Sequence, residues 1–184
     1  FFCSVPASTG TCLLSLHDSL PILPWITSEI GGMQYYSWSF SLFAVGSVIG
    51  GASAGAVREA LGDRMSYVGA GLIMVIGLAG AAVADDMLVL VSWRFFQGLG
   101  GGAILAQSYG LVGSMYPEHL RGRILSLIST AWGVATLIGP GFGGIFAELG
   151  IWRGAFWSLG GVSLLVTVAA WKIIRRTGGH GRLS

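Results

Sequence analysis

Long apolar stretches alternate with short charged joints along this chain. The hydrocarbon core of a bilayer is ~30 Å thick and takes about 20 apolar helical residues to cross. Five stretches reach that length: Tyr36–Val57, Ser66–Ala84, Met87–Ser114, Ile124–Ala147 and Trp152–Ile174. Residues 23–32, LPWITSEIGG, read as the outer end of an earlier span. The runs are too long, and too poor in period-two alternation, for lipid-facing β-strands. The pattern predicts an all-α, polytopic membrane helix bundle with five complete transmembrane helices plus a stub of the first.

The charges fall almost entirely in the joints. The basic residues are Arg58 and Arg64 in the second joint, Arg121 and Arg123 in the fourth, Arg153 in the fifth, and Lys172, Arg175, Arg176 and Arg182 at the end. The first joint has only Glu29 and the third only Asp85 and Asp86. Basic residues therefore cluster at alternate joints, and by the positive-inside rule that side is cytoplasmic. The loops 58–64 and 115–123 are then expected in the cytoplasm.

Composition narrows the class further. Hydrophobic residues make up 53% of the chain and charged residues 10%, against about 25% charge in an ordinary soluble domain. A water-soluble globule and a disordered tail are excluded, and without a basic face so is a nucleic-acid binder. The lipid bilayer is the expected surrounding. The two cysteines, Cys3 and Cys12, have no zinc-site spacing with histidine, so no metal and no cofactor is expected. Residues 1–22 read as a non-native or disordered leader, 23–176 as one transmembrane unit, and 177–184 as the start of a cytoplasmic linker.

Three stretches carry more than apolar length. Arg94 is the sole formal charge deep inside a predicted span, seven residues after Met87 and so about 10 Å into the membrane at 1.5 Å per residue. Such a residue faces a polar cavity or a partner, or else snorkels outward. Gln97 and Gly98, at i+3 and i+4, share its helix face. In the next span Gly133 is followed by Gly139, Pro140, Gly141, Phe142, Gly143 and Gly144. Pro140 removes a backbone hydrogen bond and should bend the helix near residues 137–140. The third stretch, 55–64, reads as a tight charged cytoplasmic turn. There Glu59 stands near a helix C-terminus, where an anion needs an answering cation, and Arg58 and Arg64 are the local candidates. Small residues four apart (Gly46 and Gly50, Gly51 and Gly55, Gly77 and Ala81, Gly98 and Gly102, Gly139 and Gly143) predict close helix contacts.

At these residues the chain resembles the major facilitator superfamily, and most of all the N-terminal half of a multidrug-efflux drug:proton antiporter. The resemblance runs from about Leu23 to Arg176. The Arg94–Gly98–Gly100 stretch is similar to the family's fourth-span RxxQGxG motif, and Gly139–Gly144 to its fifth-span GPxxGG antiporter motif. Residues 55–64 are similar to the loop usually written GxxxDRxGRR. There Glu59 stands for the aspartate, Gly62 and Arg64 are kept, and Ala60 and Asp63 replace two arginines.

The resemblance implies half of a major-facilitator fold in a bacterial inner membrane. Arg94, Gln97 and Gly98 would take part in proton coupling. Gly133, Gly139, Pro140, Gly143 and Gly144 would shape a helix that favours one direction of transport, and Gly55, Glu59, Gly62 and Arg64 would form a gating loop. The partners would be protons, a small-molecule substrate and a C-terminal half of the same transporter. The alternatives are an uptake carrier for a metabolite or sugar, and a non-transporting five-span subunit. No ATP-binding GxxxxGK[ST] loop is present, and an intramembrane enzyme lacks its cluster of acid, histidine and nucleophile. His119, beside Glu118, reads as a solvated loop residue.

Overall fold

The computed structural model describes residues 33–115 and 117–177. A short 3-10 turn, Met33–Tyr35, leads into four helices: α1 (Tyr36–Ala82), α2 (Met87–Met115), α3 (Glu118–Glu148) and α4 (Trp152–Thr177). The described residues contain no strand. All four helices are long and apolar enough to cross a membrane. Their outward surfaces carry large apolar side chains, among them Val48, Leu127, Leu137 and Leu165. Exposure on that scale suits lipid or a protein partner rather than water.

The first two predicted spans are parts of one element. α1 has 47 residues, and its one non-helical residue is Gly62, at φ 79° and ψ 163°. A side chain is all but forbidden there, which is why a glycine occupies the position. The chain doubles back at this point. Both Gly46, before the break, and Gly77, after it, lie against residues 95–99 of α2. In a straight helix those two glycines would be ~45 Å apart at 1.5 Å per residue. The charged turn expected over residues 55–64 is thus helical on both sides and reverses at a single residue.

The other boundaries follow local hydrogen bonding. Asp86 caps α2, its Oδ1 accepting from Leu88 N at 3.1 Å, which satisfies one of the unpaired N–H groups of the first turn. α3 starts at Glu118, so residues 118–123 of the expected 115–123 loop are helical. Leu120 N donates to Pro117 O there, and the Glu118 carboxylate suits the positive end of the helix. α3 is stopped by Gly150, two residues past its last helical residue, at φ 66°, with Ile151 N bonding back to Phe146 O at 3.0 Å. That six-to-one bond around a left-handed glycine is a Schellman stop.

The main core lies where both arms of α1, α2 and α4 meet, around Met74, Leu78, Met87, Leu90, Trp152, Phe156 and Leu159. A smaller cluster, Val112 and Ile128 with Leu105, Ile124 and Leu125, joins α2 to α3. The closest packing is backbone on backbone between the first arm of α1 and α2. A Cβ on Gly46 or Gly50 would fall on the carbonyl oxygens of Phe95 and Leu99, and one on Gly98 or Gly102 on those of Phe43 and Ser47. The expected small-residue pairs 46/50 and 98/102 thus face each other. Gly77 closes on the backbone of Gln97 from the second arm, whereas Gly55 has open space.

Candidate functional site

Arg94 is 2% exposed and Gln97 is fully buried. One helical turn brings them together, and Arg94 Nη1 donates to Gln97 Oε1 at 3.3 Å. The amide nitrogen Nε2 of Gln97 is buried with no hydrogen-bond partner among the described residues. From α4 the ring of Phe156 lies under the guanidinium, with Arg94 Cζ 5.0 Å from the ring centroid. Arg94 is therefore enclosed in the bundle and does not snorkel.

The magnitudes show why both contacts matter. Placing an arginine at membrane depth costs about 2.5–3.5 kcal/mol on insertion scales. A hydrogen bond to a charged group returns roughly 1.5–3 kcal/mol, and a desolvated cation–π contact about 2 kcal/mol. Together they are of the size needed to hold a charge in this core. Gly98 is buried beside them, and the space a side chain would take is filled by the Phe43 carbonyl. Its lack of a side chain lets the first arm of α1 seal that flank.

A line of contacts runs from this arginine to the third joint. Phe156 meets Trp152, one turn earlier on α4, edge to face at 6.1 Å and 86°. Arg153 Cζ lies 4.5 Å from the Trp152 ring centroid. Arg153 Nη2 donates to Asp85 Oδ1 at 3.1 Å and to Ala84 O at 3.3 Å. Neither Phe156 nor Trp152 stands out in sequence reasoning. The available signal was an aromatic pair four apart at the start of a helix.

At the opposite end of the helices, the structure pairs the charges differently from the expectation. Arg58 Nε donates to Asp63 Oδ1, not to Glu59, which is exposed. Arg58 Nη1 also reaches α2, occupying the space left by the missing side chain of Gly110. Arg64 turns to α4 and lies over Trp171, its Cζ 3.4 Å from the ring centroid. Among the described contacts none joins Glu59 to either arginine. The reversal at Gly62 carries Asp63 and Arg64 away from the helical positions that the spacing assumed. Gly55, Arg58, Glu59 and Asp63 line an open cleft of about 320 Å³.

The Gly139–Gly144 stretch continues α3 without a break in helical backbone. Gly139 and Gly143 are buried, while Gly133, Gly141 and Gly144 have open space where a side chain would go. Phe142, within the stretch, meets Phe146 at 5.0 Å between ring centroids with the rings tilted by 57°. Among the described contacts, Arg94 meets α2 and α4, and none joins it to this stretch. No cluster of metal-binding side chains occurs among the described residues.

These features define a membrane helix bundle with a cation sealed in its core. The Major Facilitator Superfamily model matches residues 7–183, and the chain belongs to that family. It is 37% identical over 182 residues, 97% of its length, to a probable multidrug-efflux transporter of Mycobacterium tuberculosis. An uncharacterized MFS-type transporter of the same organism is 32% identical over 89% of the chain. The multidrug transporter protein MdtP of Bacillus subtilis is 27% identical over 73% of it. The chain spans 38%, 23% and 25% of those relatives' lengths respectively. The chain thus spans less than two fifths of the length of each of these relatives.

Proposed function

We propose that the full-length protein is a proton-coupled secondary transporter that exports drugs or other small hydrophobic molecules by alternating access. Residues 23–176 are its N-terminal transmembrane half, with five complete spans, and the first-span stub read over residues 23–32 lies outside the described residues. The reversal at Gly62 supports counting α1 as two crossings, since 46 apolar helical residues are about twice what one crossing needs. The leader reading of residues 1–22 falls outside the described residues, as does all of the linker reading of 177–184 except Thr177. The bacterial inner membrane is its location, with residues 58–64 and 115–123 on the cytoplasmic side. A C-terminal half completes the substrate path at the midplane.

The observation that carries this reading is the burial of Arg94 with Gln97 at membrane depth, where an ionisable side chain marks an ion or substrate pathway by default. A charge kept in that position at such cost is a natural centre for moving protons against substrate. Gly133, Gly139, Pro140, Gly143 and Gly144 set the direction of transport, and the loop of Gly55, Glu59, Gly62 and Arg64 gates the cytoplasmic side. The names of the relatives favour export over uptake.

The test is dye transport in everted vesicles carrying the full-length protein. Arg94→Ala should insert normally and lose efflux driven by an imposed pH gradient. Unchanged efflux overturns the role of Arg94. Counterflow in everted and right-side-out vesicles distinguishes export from uptake.

A further inference from the structure

We propose that Phe156 is a positioning residue for Arg94, and that the face of its ring sets where the buried guanidinium rests and thereby how well transport is coupled to protons. This rests on the role given to Arg94 above. The guanidinium carbon lies 5.0 Å from the Phe156 centroid, and both side chains are buried, at 2% and 4% exposure. A ring face carries negative charge density that attracts a cation, and an aliphatic side chain of similar bulk does not.

The ring is itself oriented. Trp152 meets it edge to face, Arg153 covers Trp152, and Asp85 with the Ala84 carbonyl holds Arg153 at the α1–α2 joint. Asp85, Arg153, Trp152, Phe156 and Arg94 thus form a continuous stack from an exposed carboxylate to the buried cation. The guanidinium is held by two elements at once. Gln97 grips it from its own helix and Phe156 from α4. A shift of α4 along α2 changes the ring contact and leaves the hydrogen bond in place. The geometry therefore lets α4 adjust the surroundings of Arg94 without unseating it.

The experiment compares Phe156→Met, Phe156→Leu, Phe156→Tyr and Arg94→Ala in the full-length transporter reconstituted in liposomes. Two rates are read for each: dye efflux driven by a pH gradient, and downhill dye exchange with no gradient. Both aliphatic variants should lose about tenfold in the driven rate while keeping exchange, and Phe156→Tyr should restore the driven rate. If either aliphatic variant keeps the driven rate while Arg94→Ala loses it, the positioning role is overturned and the role of Arg94 stands. If the aliphatic variants lose both rates together, Phe156 is merely structural and the proposal fails. If Arg94→Ala keeps the driven rate, the reading of Arg94 fails, and this inference with it.

Discussion

Arg58 and Asp63 pair across Gly62, the single residue where α1 leaves helical geometry. Their side chains are 26% and 47% exposed, so water screens the pair and its contribution is small, about 0.5 kcal/mol. A thermal-unfolding double-mutant cycle on the full-length protein in detergent should find a coupling of that size between Arg58→Ala and Asp63→Ala. It should shrink in high salt. Glu59→Ala should show none with Arg58→Ala, and equal coupling at both acids would contradict the pairing.

Gly62 and Gly55 should respond in opposite ways to the same substitution. Gly62→Ala forces a Cβ into a backbone region reserved for glycine, at a cost of about 1–3 kcal/mol. Gly55 is helical with open space beside it, so Gly55→Ala should be neutral or stabilise by up to ~1 kcal/mol. Melting temperatures of the two variants decide this. A Gly62→Ala protein as stable as its parent would show that the reversal does not depend on that residue.

Gly98→Ala and Gly102→Ala should each destabilise the bundle by about 1–3 kcal/mol through overpacking, because the added carbon meets the carbonyl oxygens of Phe43 and Ser47. Gly133→Ala and Gly144→Ala, with empty space at their Cβ positions, should melt like the parent. Retention of folded monomer in gel filtration after heating separates the two groups.

Trp171→Leu should lose about 0.5–1 kcal/mol of stability, the value of an exposed cation–π contact, since Arg64 lies over that ring. Trp171→Phe should keep most of it. If Trp171→Leu is equally damaging when Arg64 is already alanine, the contact is not the cause.

The long apolar runs made the helices legible, since every helix coincides with one or more of them. The i+3 spacing also foretold the meeting of Arg94 and Gln97. The start of α3 was not legible because polarity marks where a helix leaves the apolar layer, not where its hydrogen bonds begin. His119, Arg121 and Arg123 look like a loop yet lie in the first turns of a helix. The Arg58–Asp63 pair depended on one backbone angle at Gly62. Phe156 depended on how α4 settles against α2, and contacts between helices distant in sequence leave no spacing to read.

The interlock of Gly46 and Gly50 with Gly98 and Gly102 has a mechanical consequence. Sliding one helix past the other by a single position would drive side chains into carbonyl oxygens, so the register has one notch and no neighbours. The first arm of α1 and α2 must then travel as a single stiff plank through any rocking of the bundle. Compliance is left to the places where the chain turns, and among the described residues the two glycines with left-handed backbone, Gly62 and Gly150, mark where the plank can be hinged.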